Sequence, residues 1–480
     1  MSKKKLNGDG IYFTGESSND VTGSQYLVKF GETQCLLECG LYQSASNSYL
    51  DSYQVNSKKF AFSPADIDFV FINHPHIDHC GLLPRLVKKG FSGKIITTAH
   101  TAAVMKPLLL NSCYIVNEEA RILSKRYGRA YLPLYEECDV KKAFSLISIY
   151  DEYGKTHVLN DFVSFKWIEN SHCLGAAQLL LILKNKEKTR KILYTSDLGS
   201  LKNNNNYMSK TKIPVDFSDI TVMESTYGDK KRISKHGRKF DVERLKTAID
   251  TTIERGGSII MPCFSFSRTQ EILTVLYDIY GNDSNFNNDI VVDSKLSCEI
   301  CKLYNNILSG ANLEKWNNVY NWNNVKFIVD KQDSRDSVAD KSPRVIISSS
   351  GFCTNGRIVN YLKNGICDRK NMIVFSGYTG NNSSYLSYRI KNYDKYRTVK
   401  INKVPIKNNA DCISLHTFSS HATHDDLVKF GGNLNTNKLI LVHGSKESKE
   451  ELSSDLENEI SKNNKTYKIK CACRGMVIRL

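Results

Sequence analysis

Four potential metal ligands lie within six residues of this chain, in the segment His74-Pro75-His76-Ile77-Asp78-His79. The segment follows an apolar run at Asp68–Asn73, typical of a buried strand, and precedes Cys80-Gly81-Leu82-Leu83-Pro84, which indicates the start of a helix. A turn between strand and helix lets side chains at positions i, i+2, i+4 and i+5 converge, whereas a continuous strand keeps only alternate ones together. Imidazole and carboxylate ligands suit Zn²⁺, and Mn²⁺ or Fe²⁺ would also fit. The segment therefore predicts a metal site on a strand-to-helix turn.

Length and charge limit the classes of protein this chain can be. The chain has 480 residues, which exceeds one ordinary core at about 100–200 residues per domain. We therefore expect two or three domains, or one large domain with an insertion. Hydrophobic residues make up 41% of the chain, too many for a disordered protein. The 66 Lys and Arg residues against 50 Asp and Glu give a net charge of +16, which favours a polyanionic partner.

The composition predicts a protein of a cytosol-like compartment that does not enter a membrane. No stretch approaches about 18 uninterrupted apolar residues, so no membrane span is expected. The basic start Met1-Ser2-Lys3-Lys4-Lys5 is followed by polar residues rather than by the apolar region of a signal peptide. The 14 cysteines are scattered, as reduced thiols would be. A cytoplasmic location is expected.

The pattern of apolar runs changes near residue 229. Before it, short strands dominate, and we predict them at Gln25–Phe30, Cys35–Leu37, Phe69–Ile72, Lys94–Thr97, Leu179–Leu183 and Ile192–Thr195. After it, strands alternate with helices, and we predict strands at Ser258–Cys263, Val325–Val329, Arg344–Ser348 and Met372–Phe375, with helices at Val242–Arg255 and Arg268–Tyr280. This alternation is typical of an α/β fold with a largely parallel sheet.

Two further candidate ligands lie next to other predicted strands. His172 lies in Ser171-His172-Cys173-Leu174-Gly175, and Asp197 lies in Tyr194-Thr195-Ser196-Asp197-Leu198-Gly199. Both are beside small residues, which allow close approach of the backbone. One cluster cannot by itself complete two metal sites, so ligands from other strand ends are expected.

At this point the sequence resembles the metallo-β-lactamase superfamily, and in particular its β-CASP branch of nucleic-acid-processing nucleases. The resemblance rests on motifs spread over nearly the whole chain: Val21-Thr22-Gly23-Ser24, Leu37-Glu38-Cys39-Gly40, Glu224-Ser225-Thr226-Tyr227-Gly228, Phe266-Ser267-Arg268-Thr269-Gln270-Glu271, Ser349-Ser350-Gly351-Phe352-Cys353, Phe418-Ser419-Ser420-His421-Ala422 and Leu441-Val442-His443-Gly444. The sequence looks most like RNA 3′-end-processing nucleases of the cleavage and polyadenylation factor type and their prokaryotic relatives. The resemblance implies an α/β fold, an αββα metallo-β-lactamase sandwich formed by residues 1–225 and completed by 406–480, with an α/β β-CASP domain inserted at 226–405.

The resemblance also implies a two-metal site, with two Zn²⁺ per chain as the expected cofactors and Mn²⁺ or Fe²⁺ as alternatives. One metal would be held by His74, His76, His172 and Asp197, and the other by Asp78, His79, His443 and the same Asp197. Two such ions activate a hydroxide for attack on a phosphodiester.

Catalytic roles follow from the same resemblance. His421, oriented by Glu224, is similar to the proposed general acid of the family, and Asp78 counts as a catalytic residue as well as a ligand. On the residues alone, His421 could instead cap the helix predicted at Asp425–Phe430, and Glu224 could be a buried structural carboxylate.

Two positions depart from the family pattern. Glu38 stands where the family has Asp, at a place in the second shell that orients a ligand imidazole, and losing such a partner weakens metal binding about 10–100-fold. The longer side chain therefore predicts an adjusted or looser site. Thr423 stands where the family has Asp, two places after the general acid, and the sequence offers no physical reason for this change.

The insertion is expected to bind single-stranded RNA. Candidate phosphate contacts are the hydroxyls of Ser349 and Ser350, the guanidinium of Arg357, and the basic run that includes Lys230, Lys231 and Arg232. A solvated surface is the alternative for each basic residue taken singly.

The sequence therefore predicts a zinc-dependent ribonuclease, an endonuclease in RNA processing, that acts as a homodimer or within a processing complex. One alternative is a DNA nuclease of the same family, which His443 argues against because DNA-directed members generally lack that histidine. The other is a non-catalytic RNA-binding subunit, although such relatives lose ligands and all seven ligand positions are filled here. A small-molecule hydrolase would need neither the insertion nor the charge.

Overall fold

A computed structural model describes residues 8–44, 48–202, 206–229, 237–380 and 382–480. The described residues form two compact units. The first unit is drawn from 8–229 together with 420–480, and the second from 237–419. Strands and helices are numbered below in chain order.

The first unit contains two seven-stranded sheets. In spatial order, the first sheet consists of β22 (Val477–Arg479), β1 (Gly10–Phe13), β2 (Tyr26–Phe30), β3 (Thr33–Leu37), β4 (Phe69–Phe71), β5 (Lys94–Thr97) and β6 (Ile147–Ile149). The second sheet consists of β21 (Lys468–Cys471), β20 (Lys438–Val442), β11 (Ile220–Glu224), β10 (Thr189–Tyr194), β9 (Ala177–Lys184), β8 (Val163–Glu169) and β7 (Thr156–Val158). The helices of this unit are α1 (Tyr49–Asn56), α2 (Ile77–Cys80), α3 (Leu83–Lys88), α4 (Ala99–Tyr127), α5 (Glu137–Ser145), α13 (His424–Gly432) and α14 (Lys446–Lys462).

Alternation of side chains along the strands builds the layers of this unit. In β2, Tyr26 and Val28 join a core shared with the second sheet, whereas Leu27 joins a core on the helical side. In β9, Leu179 and Leu181 enter the same shared core. The sheets therefore pack face to face, with α3 to α5 covering one outer face and α13 and α14 the other. This is the αββα sandwich that the family resemblance implied.

The second unit is an α/β domain around a six-stranded sheet. In spatial order the sheet consists of β14 (Val325–Ile328), β13 (Ile290–Asp293), β15 (Val345–Ser348), β12 (Ile259–Pro262), β16 (Met372–Phe375) and β19 (Asp411–Ser414), and all its pairings are parallel. A separate antiparallel hairpin is formed by β17 (Thr398–Ile401) and β18 (Val404–Lys407). The helices are α6 (Gly237–Glu254), α7 (Arg268–Tyr280), α8 (Lys295–Ile307), α9 (Gly310–Tyr320), α10 (Lys331–Ala339), α11 (Ile358–Gly365) and α12 (Leu386–Lys391).

The fold class predicted from the sequence is confirmed, including the parallel sheet after residue 229. All 14 cysteines are free thiols. Among the described residues, no helix combines the length and the apolar character that a membrane span requires.

Candidate metal centre

The first sheet carries four of the expected ligands at its carboxyl edge. His74 and His76 lie in the turn after β4, and Asp78 and His79 lie in α2, a single helical turn. The backbone N–H groups of His79 and Cys80 donate to the His76 carbonyl at 2.9 and 3.0 Å. These bonds fold the chain back after His76, so that the ligands of α2 come to lie beside the two preceding imidazoles.

The second sheet carries three more of the expected metal ligands. His172 lies between β8 and β9, Asp197 lies three residues beyond β10, and His443 directly follows β20. The strands β8, β10, β11 and β20 run in one direction, because β9 is antiparallel to β8 and β10, whereas β11 pairs parallel with β10 and β20. Their carboxyl ends therefore share one edge of the sheet, where Glu224 is the last residue of β11.

The backbone at these strand ends is turned sharply. Glu38, Ser196 and His443 adopt left-handed conformations with φ of 59°, 52° and 52°. Such conformations cost free energy in residues other than glycine and persist where the surrounding structure enforces them. Gly199 allows the Asp197 loop to approach the His172 loop, since a Cβ atom at Gly199 would lie only 2.3 Å from the backbone nitrogen of His172.

Asp197 lies between two pairs of imidazoles. Its Oδ1 atom is 3.3 Å from Nε2 of His79 and 3.3 Å from Nδ1 of His443. Its Oδ2 atom is 3.7 Å from Nε2 of His74 and 3.7 Å from Nε2 of His172. Each carboxylate oxygen thus faces a separate pair, which is the arrangement a bridging ligand needs.

The two remaining side chains complete two separate groups. Nδ1 of His76 lies 3.1 Å from Nε2 of His172, on the Oδ2 side of Asp197. Oδ2 of Asp78 lies 3.6 Å from Nε2 of His79 and 3.6 Å from Nε2 of His443, on the other side. Four groups of donors lie close enough to hold an ion, and two of them are the expected sets: His74, His76, His172 and Asp197 in one, and Asp78, His79 and His443 in the other. The other two groups are Glu38, His74 and His79, and Asp197, Glu224 and His421.

Several of these donor atoms are buried without a hydrogen-bond partner. They are Nε2 of His74, Nε2 of His443 and Oδ1 of Asp197. An unsatisfied polar atom costs free energy in the interior unless another ligand satisfies it. Imidazole nitrogens and a carboxylate are the donors that Zn²⁺ prefers, so the residues present fit a metal centre.

Burial and neighbouring charges set the protonation of these ligands. Burial lowers the pKa of His74 and His172 well below the ordinary range, and it lowers the pKa of His76 to about 4. These imidazoles are therefore neutral, the form that binds metal ions. Burial alone would raise the pKa of Asp197, but the charges of His443 and His79 hold it well below its usual range. The carboxylate is therefore ionised.

Glu38 is accommodated by residues that the sequence reasoning did not identify. Its Oε1 atom accepts a hydrogen bond from the Ser196 hydroxyl at 3.0 Å and lies 3.6 Å from Nδ1 of His79. The backbone N–H of Asn73 donates to the same carboxylate at 3.3 Å, and the Ser196 oxygen lies 3.1 Å from Nδ1 of His74. Glu38 therefore contacts His79 directly and His74 through Ser196, which the sequence places next to Asp197.

His421 and Glu224 lie together at the edge of this centre. Nδ1 of His421 lies 3.1 Å from Oε1 of Glu224, and its Nε2 atom lies 3.8 Å from Oδ2 of Asp197. Glu224 is also held by the backbone N–H groups of Leu198 at 2.6 Å and Thr226 at 3.0 Å. Burial alone would lower the pKa of His421, but the charge of Glu224 and its hydrogen bond raise it to about 9.

Thr423, rather than His421, caps the following helix. The Thr423 hydroxyl accepts a hydrogen bond from the N–H of Asp426, and the Asp426 side chain accepts one from the N–H of Thr423. This reciprocal capping box starts α13, so threonine fulfils a capping role at a position where the family has Asp. The alternative that His421 is the capping residue does not hold.

Three of the expected substrate contacts lie in the second unit. Ser349 and Ser350 follow β15 and are half-buried, and the Ser349 hydroxyl donates to Ser294 at 2.8 Å. The Arg357 guanidinium pairs with buried Asp293 at 2.6 Å and donates to the carbonyls of residues 328 and 329. Arg357 therefore joins neighbouring strand ends, and its contact with phosphate stays a prediction. Lys230, Lys231 and Arg232 lie outside the described residues.

Three family models match separate parts of the chain. Residues 19–111 match the metallo-beta-lactamase superfamily, residues 269–384 match the Beta-Casp domain, and residues 405–469 match the Zn-dependent metallo-hydrolase RNA specificity domain.

Curated relatives extend this similarity over most of the chain. A ribonuclease of Thermus thermophilus is 26% identical over 437 residues, covering 90% of this chain and 92% of its own. An RNase J-like protein of Methanocaldococcus jannaschii is 29% identical, covering 79% of this chain and 82% of its own. Cleavage and polyadenylation specificity factor 73 of Drosophila melanogaster is 24% identical, covering 92% of this chain and 61% of its own.

A solved structure shares the fold. The crystal structure of a protein of unknown function from Enterococcus faecalis matches with a TM-score of 0.53 and 13% identity, covering 99% of this chain and 100% of that one. The Beta-Casp match lies in the second unit and the metallo-beta-lactamase match in the first, whereas the RNA specificity match begins in the second unit and continues into the first. The chain belongs to the β-CASP branch of the metallo-β-lactamase superfamily.

Proposed function

We propose that this protein is a ribonuclease that hydrolyses RNA phosphodiester bonds with two divalent metal ions, and that these ions are zinc. The observation that supports this most strongly is the position of Asp197, whose two oxygens each face a separate pair of imidazoles. The ribonucleases among its relatives support RNA as the substrate.

Each metal would have its own ligands apart from Asp197. His74, His76 and His172 would hold one ion, and Asp78, His79 and His443 would hold the other, with Asp197 shared. Two bound cations would neutralise charge on the scissile phosphate and lower the pKa of a water molecule.

The protein groups around the ligands would fix their orientation. Glu38 would hold His79 through Nδ1 and, by way of Ser196, would hold His74. The Thr226 hydroxyl lies 3.0 Å from Nδ1 of His443 and would hold that ring. Such outer contacts make the ligand set rigid and select the ring nitrogen that faces the metal.

His421 would protonate the leaving oxygen. Glu224 engages Nδ1, so that Nε2 of His421 is directed towards Asp197 and the ligand cluster. Hydrolysis adds water across the P–O3′ bond, and the departing 3′ oxygen needs a proton while the phosphate stays on the 5′ end. An imidazolium held by a carboxylate can donate this proton, a contribution of about 10²–10⁴-fold in rate.

The test measures cleavage of end-labelled single-stranded RNA and of DNA of the same sequence. Each substrate is incubated with protein from which a chelator has removed the metals, and with the same protein after each metal has been added back. We expect RNA to be cut much faster, giving 5′-phosphate and 3′-hydroxyl ends, and binding to weaken steeply with salt as phosphate contacts release counterions. Faster cleavage of DNA would make the protein a DNA nuclease. Tight RNA binding without cleavage under every metal would make it a non-catalytic subunit.

A circular RNA separates endonuclease from exonuclease action, because only an endonuclease can open it. We propose endonuclease action in RNA processing, in the cytoplasm, by a homodimer or within a processing complex. Linear RNA degraded while the circle stays intact would contradict the endonuclease assignment.

A further inference from the structure

Three aromatic side chains meet at the carboxyl edge of the parallel sheet in the second unit. Phe264 follows β12, Phe352 follows β15 and Tyr378 follows β16. The strands β15, β12 and β16 are neighbours in the sheet and are parallel, so their carboxyl ends lie side by side. In open α/β sheets this edge is where ligands bind.

The rings form one cluster with Phe352 at its centre. Phe264 and Phe352 meet edge to face, with centroids 5.2 Å apart, and Phe352 meets Tyr378 in the same way at 6.2 Å. Tyr385 packs against Phe352 from another side at 5.0 Å. The Phe264 ring also lies against Gly351, where a Cβ atom would approach it to 3.0 Å. These contacts hold the rings in defined orientations.

Two rings of the cluster remain open to solvent. Phe264 is 40% exposed and Tyr378 is 38% exposed, although both touch the half-buried Phe352. Single exposed aromatic residues are ordinary on protein surfaces, but contiguous ones at a ligand-binding edge mark an interaction site. Exposed aromatic rings are suited to stacking with another flat ring.

A cationic cavity is lined in part by the residues that directly follow Phe352. It has a volume of about 140 Å³, roughly ten times what one water molecule requires. Thr354, two residues after Phe352, lines it together with Arg389 and Lys400. The buried Nε atom of Arg389 has no hydrogen-bond partner, and within the described residues neither cation forms an ion pair. Uncompensated cations beside a hydroxyl favour a phosphate group.

The cavity adjoins the cluster through Cys353, which follows Phe352, and through Ser384 and Leu386, which flank Tyr385. Aromatic rings and a cationic cavity are the two components that single-stranded nucleic acids need. We propose that this edge binds single-stranded RNA, with nucleobases stacked on Phe264 and Tyr378 and a backbone phosphate in the cavity at Arg389 and Lys400. The proposal rests on the proposed ribonuclease function and assigns its substrate contacts outside the metal centre. Stacking is tolerant of sequence, because every base presents a ring face.

The test measures binding of the chelated protein to a single-stranded RNA and to an abasic strand of the same length and charge. Phe264→Ala should weaken binding of the intact RNA about fivefold or more and leave binding of the abasic strand unchanged. Phe264→Leu, which keeps apolar bulk against Gly351, should show the same loss, and Phe264→Trp should restore affinity. Arg389→Met should weaken both strands equally.

Tyr393→Ala is the matched control. Tyr393 is 37% exposed in the same unit and lies under Arg397 rather than in the cluster, so its removal should change neither affinity. If the wild type cuts RNA but Phe264→Ala and Tyr393→Ala bind RNA with equal affinity, the stacking site is overturned and the ribonuclease function is not. A wild type that neither binds nor cuts RNA would overturn the ribonuclease function as well. Inorganic phosphate that binds as tightly as the abasic strand would reduce the cavity to a free-anion site and contradict the RNA assignment.

Discussion

Nδ1 of His421 lies 3.1 Å from Oε1 of Glu224, and both side chains lie at the edge of the metal ligand cluster. This contact engages one ring nitrogen and leaves the other directed at the ligand cluster. A proton donor needs this arrangement, whereas a helix cap needs none of it.

His421→Ala should separate chemistry from binding. The variant should keep its metals and its RNA affinity but lose about 10²–10⁴-fold in turnover. The deficit should shrink on a p-nitrophenyl phosphodiester, because its phenolate leaves without a proton. His74→Ala, which removes a proposed metal ligand, should impair both substrates alike. An equal deficit on both substrates in His421→Ala, with metal content intact, would remove the general-acid role.

Glu38→Asp tests whether the longer carboxylate is matched to this site. Shortening the side chain withdraws the carboxylate from Ser196 and His79, so we expect divalent metal to bind about 10–100-fold more weakly. Ser196→Ala removes only one of these contacts and should have a smaller effect. Metal release to a competing chelator measures both. If Glu38→Asp holds metal as tightly as the wild type, the carboxylate does not orient the ligand.

The ligand set could be predicted from the sequence because its central part is local. His74, His76, Asp78 and His79 follow one strand, so their convergence needs only a turn. The contact between Glu38 and Ser196 could not be predicted, because it joins residues 158 positions apart and depends on how the two sheets pack.

The sheets also show which features the sequence predicts and which depend on the packing of distant segments. Strand positions could be predicted, since β5 and β16 begin and end where the apolar runs predicted. The antiparallel pairing of β1 with β2 and of β8 with β9 could not, because apolar runs carry no information about strand direction. The aromatic cluster was missed for a related reason: Phe264, Phe352 and Tyr378 lie in three separate loops, which only the parallel sheet brings together.

Thr423→Ala should lower the free energy of unfolding by about 0.5–2 kcal/mol, because it removes the N-cap of α13. Thr423→Asp keeps an acceptor at the cap and places a negative charge at the helix N-terminus, so it should retain the stability of the wild type. Denaturant unfolding of the three proteins measures this. A Thr423→Asp protein as unstable as Thr423→Ala would show that the cap is not what Thr423 supplies.

We expect Glu119, on α4, to make the stability of the protein depend on pH. Burial raises the pKa of this half-buried carboxyl from 4.5 to about 7. Folding therefore takes up a proton between these values, and stability falls as pH rises through this window. Glu119→Gln should raise the melting temperature more at pH 8 than at pH 5. Glu118→Gln removes the same charge at the neighbouring position, and an equal pH response in both variants would refute the assignment.

The metal content of purified protein tests the central claim most directly. Elemental analysis should find about two divalent ions per chain in the wild type. Asp78→Ala should keep one, because Asp78 lies on the side of His79 and His443, and Asp197→Ala should lose both, because its carboxylate faces both sides. One tightly bound metal together with full ribonuclease activity in Asp197→Ala would contradict the two-metal account.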